Sequence, residues 1–166
     1  MTNPVIDNIR RSLGGQRPPL SPRPAIYESR QPESLSAESE RFLDEIRKLS
    51  GVAQTLSADS VPDALKALVA EQNIKKATAW NTPHLNQLQI TNHLSSLGVE
   101  IVSPNASKHA MALCDLGITE ADYLIPETGT LVLTSSTEKP RAVSLLPRIH
   151  LAIVQPEMLR PDLHQV

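Results

Sequence analysis

Between Gly117 and Val154 the chain reads GITEADYLIPETGTLVLTSSTEKPRAVSLLPRIHLAIV, and its polar residues stand at the ends of apolar runs. In open α/β sheets, polar groups at strand ends are where ligands gather. Glu127, Thr128, Gly129 and Thr130 join two such runs, placing a carboxylate and two hydroxyls beside a glycine free to take positive φ. Glu127 reads either as a turn residue accepting from neighbouring amides or as a general base, a nucleophile or an anchor for a substrate hydroxyl. Thr130 reads as a strand-opening residue or a ligand contact. Ser135, Ser136 and Thr137 precede Lys139 and Arg141, so their hydroxyls and amides form either an ordinary helix cap or a site for a carboxylate or phosphate. Arg141 adds a planar guanidinium able to grip a carboxylate through two bonds, where Lys139 offers a point charge. His150 opens the apolar run IHLAIV as a proton carrier or a satisfied, half-buried side chain.

Several chemistries are absent from the pattern. His84, His93, His109 and His164 have no spacing that puts two of them on one face beside a carboxylate, so no metal is expected. Cys114 is the single cysteine, which rules out an internal disulfide and a cysteine-ligated iron-sulfur cluster built from this chain alone. Lying in MALCDLG, it reads as a small core residue in preference to a nucleophile. No Gly-rich phosphate loop or G-x-S-x-G elbow is present.

Composition narrows the partners. The chain has 166 residues, 40 % hydrophobic, enough for one ordinary domain core. An aromatic content of 2 % leaves almost nothing to stack on bases, and 16 basic against 18 acidic residues give no broad attraction for phosphate backbones. Small molecules or proteins are the expected partners, not nucleic acid. The sequence has no apolar stretch of the ~20 residues that cross a bilayer, and MTNPVIDNIRRSLGG lacks a signal-peptide core, so the expectation is a cytoplasmic protein without membrane insertion.

The elements that must position these residues follow from periodicity. Residues 3–13 predict a short helix, and 14–34, rich in Pro and Ser, a flexible tether whose Arg17, Arg23 and Arg30 read as solvated or as docking on an acidic partner, the solvated reading being preferred. Thus 1–34 is an N-terminal extension and 35–166 the folded domain. Phe42, Leu43, Ile46 and Leu49 predict a helix over 36–49, followed by a strand at 51–56. A helix from Ser60, a strand at 74–80, a helix over 84–97, a strand at 99–102 and a helix near 106–115 come next. Strands at 121–125, 130–134 and 149–154 complete the list, the first two nearly all apolar and therefore expected at the centre of the sheet. Alternation of this kind predicts a mostly parallel sheet flanked by helices.

The run G-I-T-E-A-D-Y-L-I-P-E-T-G-T-L-V-L, followed by R-x-x-S-L-L-P-x-x-H, resembles the central signature of the LUD domain family, closely over 117–154. The resemblance implies an α/β Rossmann-like fold of the class shared by glucosamine-phosphate deaminase, ribose-5-phosphate isomerase and CoA transferases. It also implies a place in a bacterial three-component system oxidising L-lactate to pyruvate. With one cysteine, this chain resembles the family's cluster-free branch, the iron-sulfur clusters then belonging to a cysteine-rich LUD subunit beside a second lactate-oxidation subunit. The rim of Thr119, Glu127, Thr130, Ser136, Arg141 and His150 would bind a small carboxylate such as lactate or pyruvate, or stabilise the assembly. Two alternatives stand beside this: a free-standing enzyme on a sugar phosphate or CoA ester with Glu127 as base or nucleophile, and a degenerate interaction module. Family members continue past the strand at 149–154 through a Gly-Pro-Ser-rich motif that has no match here. An incomplete sheet with an exposed edge is expected, favouring association with a further copy or a partner subunit.

Overall fold

The computed structural model describes residues 4–12 and 30–166. Most of the expected tether, including Arg17 and Arg23, lies outside the described residues. The first helix, α1 (Pro4–Ser12), is followed within the domain by α2 (Leu35–Lys48), α3 (Val61–Gln72), α4 (Pro83–Gln87), α5 (Ile90–Ser96), α6 (Lys108–Ala112) and α7 (Ala142–Leu145). The strands are β1 (Lys76–Ala79), β2 (Glu100–Val102), β3 (Leu116–Thr119), β4 (Tyr123–Ile125), β5 (Thr130–Val132) and β6 (Ile149–Ala152). β2-β1-β3-β6 form a four-stranded sheet, parallel throughout, and β4 and β5 pair antiparallel as a separate two-stranded unit.

Sequence order explains the sheet. β1 hands the chain outward to β2, and the return crosses β1 to place β3 on its other side, with β6 beyond. The connections after β1 and β3 therefore leave in opposite directions, which opens a crevice between their carboxyl ends. Alternation assigns the two faces: Ala77, Ala79, Leu116 and Ile118 are apolar and buried, whereas Thr78, Gly117 and Thr119 share the other face. Gly117 is required there by close approach, because a Cβ on it would sit 1.9 Å from the Val143 carbonyl oxygen and 2.9 Å from Pro147 Cγ. α7 thus rests directly on the β3 backbone. The main core gathers Leu65, Ile74, Trp80, Leu85, Ile90, Leu94, Leu116, Ile118 and Val143, and a second, smaller cluster joins Phe42 on α2 to Ala121 and Leu124 at the β4–β5 unit.

Four expectations are corrected. The run 51–56 is no strand: Ser50 turns at φ 65°, Gly51 N–H caps the helix on the Ile46 carbonyl, and Val52 is 96 % exposed with no strand beside it to pair with. The helix expected over 84–97 is two, because Gln89 adopts φ 51° and a left-handed residue cannot continue the helical ladder; the break lets Leu85, Ile90 and Leu94 all reach the core. The central places fall to β1 and β3, and the apolar pair β4–β5 stands outside the sheet, with Leu124 and Leu131 packed against Phe42 and Ile46 of α2. β3 was not among the expected strands, because Gly117 weakens its strand signal and the helix expected near 106–115 runs up to it. Finally, Arg30 is no solvated tether residue. It donates to both Glu38 carboxylate oxygens at 2.7 and 2.6 Å, while its backbone N–H bonds Asp162 at 2.7 Å, tying the start of the domain to its last residues.

Candidate functional site

Two polar constellations form where the strands end. On the Gly117 face, Thr119 Oγ1 lies 2.8 Å from His150 Nε2, a contact between a fully buried hydroxyl and a histidine whose outer edge is exposed. The parallel register makes it: His150 is paired with Gly117, one diagonal step from Thr119. Partial burial of the ring holds His150 below the ordinary histidine pKa, favouring the neutral imidazole. Thr78 Oγ1, on the same face, is buried without a hydrogen-bond partner.

The second constellation occupies the crevice predicted by topology. Thr82 caps α4 at the end of the β1 segment, and the following residues carry His84 toward β3, where Glu120 begins the next loop. His84 Nδ1 lies 2.8 Å from Glu120 Oε1, and Gln155, just past β6, brings its amide nitrogen to 3.2 Å from His84 Nε2. Glu120 is buried, and the side chain of His84 is 23 % exposed. With the amide nitrogen facing Nε2, the ring donates from Nδ1 to the carboxylate and accepts at Nε2, the orientation in which a carboxylate fixes an imidazole for proton exchange.

A groove of about 720 Å³ opens on the adjoining side of the same edge, lined among others by Trp80, Asn81, Pro83, Asn86, Ser103 and Asn105. Two of these, Pro83 and Asn86, belong to the helix that bears His84. The loop after β5 closes over this edge through one anchored cation. Lys139 Nζ bonds Asp122 at 2.7 Å and lies 5.5 Å from the Trp80 ring centre, while Trp80 Nε1 donates to the Pro140 carbonyl. Burial pulls the Asp122 carboxyl upward, but Lys139 and two donors from Thr134 outweigh it and hold it below the usual range.

Of the residues singled out from sequence, Thr119 and His150 meet. Glu127 and Thr130 are exposed in the β4–β5 turn, with Glu127 near Arg30 and Thr130 hydrogen-bonded to Thr128 at 2.7 Å. Ser136 Oγ accepts from the amides of Glu138 and Lys139 within its own turn. Arg141 is exposed at the start of α7, its carbonyl capped by Ser144. None of these four is hydrogen-bonded to the Thr119–His150 pair. Cys114 is buried, its thiol on the Ala110 carbonyl, and burial pushes its pKa up, which suits a packing residue. The His84–Glu120 pair was missed: its members are 36 residues apart, and only the adjacency of β1 and β3 brings them together.

Fold and site together define an open α/β protein with its polar crevice outside the carboxyl ends of a parallel sheet. The chain belongs to the LUD domain family, whose profile matches residues 33–166. It is similar to lactate utilization protein C of Halalkalibacterium halodurans, 29 % identical over 95 % of this chain and 69 % of that protein. It is also similar to lactate utilization protein C of Shouchella clausii, 28 % identical over 90 % of this chain and 69 % of that one. The crystal structure of a DUF162 family protein from Deinococcus radiodurans shares the fold with a TM-score of 0.64, at 20 % identity, covering 81 % of this chain and 78 % of that one. No helix among the described residues is long and apolar enough to cross a membrane.

Proposed function

We propose that this chain is the iron-sulfur-free component of a bacterial L-lactate utilisation system, in which its carboxyl-edge crevice holds a small carboxylate of the lactate and pyruvate class. The observation that carries this reading is the similarity, over most of the chain, to proteins named lactate utilization protein C. The chemistry of the chain is compatible with it. One buried cysteine cannot ligate a cluster, so electrons leaving lactate would pass to a cysteine-rich LUD subunit and a second lactate-oxidation subunit, while this chain holds a ligand or the assembly. β6 ends the parallel sheet with one edge unpaired among the described residues, a surface suited to such association.

Affinity purification of the chain at native expression from a lactate-grown host tests the reading. A cysteine-rich iron-sulfur subunit and a lactate-oxidising partner should co-purify. Recovery of a lone monomer, with no thermal stabilisation by L-lactate or pyruvate, would overturn it.

A further inference from the structure

We infer that His84 is the residue that recognises the hydroxyl of a bound 2-hydroxy carboxylate, accepting its hydrogen at Nε2 in place of Gln155, with Glu120 as the positioning residue. The inference rests on the reading of the crevice as a carboxylate site and names the group that would select within that class. Three observations carry it.

The first is place. His84 follows β1 and Glu120 follows β3, the two strands between which the chain's connections diverge, and the carboxyl ends of such a pair are where an open α/β sheet receives ligands. The large groove shares two wall residues, Pro83 and Asn86, with the helix that carries His84.

The second is orientation. Glu120 takes Nδ1 at 2.8 Å from a buried position, so the outward nitrogen presents a lone pair aimed away from the carboxylate. A lone pair of this kind accepts from a hydroxyl; it gains nothing from a methylene hydrogen and faces a keto oxygen unfavourably. The ring is therefore set to prefer a 2-hydroxy acid over its deoxy and keto counterparts.

The third is exchangeability. The two ring contacts are unequal: the carboxylate bond is short and charge-assisted, whereas the Gln155 amide lies at 3.2 Å and comes from an exposed residue just beyond β6. Gln155 satisfies Nε2 through a bond that a better donor would displace. No other nitrogen or oxygen of the described residues has a hydrogen bond to Nε2.

The test compares L-lactate with propionate, which lacks only the hydroxyl, by calorimetric titration of the full chain. Wild-type protein should bind lactate about tenfold more tightly, the scale of one net hydrogen bond. His84→Ala should bring that ratio to about one while propionate affinity is retained, which also reports that the variant is folded. Glu120→Gln, whose amide oxygen still accepts from Nδ1, should keep most of the ratio, and Glu120→Ala should lose it. In the unaltered protein, the imidazole ¹⁵N resonances of His84 should move with lactate and stay still with propionate. Equal binding of the two acids, or a ratio that survives His84→Ala, overturns the inference and leaves the carboxylate reading standing. Absence of binding by either acid overturns both.

Discussion

Two buried glutamates, Glu38 and Glu120, show how differently this fold uses a carboxylate. Glu38, 5 % exposed, accepts from the two terminal guanidinium nitrogens of Arg30 and from the Glu33 amide, and Arg30 is held in turn by Asp162 and the Pro161 carbonyl. Every strong partner in that clamp is internal, and it fastens the approach to α2 against the last turn of the chain. The hollow beside it, lined by Pro32, Leu35, Pro126 and Leu159 among others, offers a ligand a carboxylate that is already saturated. Glu120, 8 % exposed, meets one imidazole, and the other side of that imidazole is held by a single exposed amide. A carboxylate whose two oxygens are both taken by one cation serves stability, whereas a pair with one weakly held position left over serves binding. That asymmetry, and not the size of a cavity, distinguishes the two ends.

The carboxyl-edge side depends on backbone packing, and Gly117→Ala is the sharpest way to break it. The added methyl would lie 1.9 Å from a carbonyl oxygen of α7, and a backbone atom on a packed helix cannot step aside as a flexible side chain could. We expect a loss of ~3 kcal/mol or more, and a melting temperature lower by about 10 °C for a chain of this length. An unchanged melting temperature would show that α7 is loosely held and that the face carrying Thr119 and His150 is not fixed by it.

The clamp should break by charge. Arg30→Ala leaves a buried carboxylate without its cation, and Glu38→Gln leaves the guanidinium without its anion; either should cost about 2–3 kcal/mol at neutral pH. The Arg30 hydrogen bonds are the main cause that lowers Glu38, from an ordinary 4.5 to about 2. A depressed carboxyl contributes fully above its unfolded value and loses that contribution as pH falls from 4.5 toward 2. Denaturant melts of wild type should therefore weaken over that window, and those of Arg30→Ala should weaken less. Parallel curves would mean that the clamp is solvated and contributes little.

These contrasts explain what sequence could reach. The amphipathic spacing of Phe42 and Ile46 identifies α2, and the alternation of apolar runs with helical segments identifies a parallel sheet, because both signals are local in the chain. The family signature from Gly117 onward is likewise contiguous. Arg30 clamped on Glu38 was hidden by the Pro- and Ser-rich stretch that leads to it, where composition argues for solvation. The break at Gln89 was hidden because the apolar periodicity continues across it, and only φ 51° reveals the turn. His84, Glu120 and Gln155 leave no local trace at all: the ring contacts span 36 and 71 residues and exist because β1, β3 and β6 converge at one edge. Thr119 and His150 were legible as strand-end polar residues, but their contact follows from the β3–β6 register.

The smallest effect separates the two regions by pH instead of by substitution at either clamp. His150 is the titrating group on the sheet face that α7 covers, and burial lowers its pKa from 6.5. A base whose folded pKa is depressed binds its proton more readily unfolded, so the folded state loses stability as pH falls through 6.5 and on toward the lower folded value. This window lies above the one in which Glu38 acts, so the two do not overlap at their upper ends. Melts of wild type and His150→Gln should differ in slope as pH falls through 6.5 toward the lower folded value of His150 and run parallel above that window, where the ring is neutral in both states. Direct observation of the His150 imidazole by NMR should place its midpoint under 6.5. A midpoint at or above that value would show that the ring is better solvated than its contact with buried Thr119 implies, and would move His150 out of the sheet face and into the open rim.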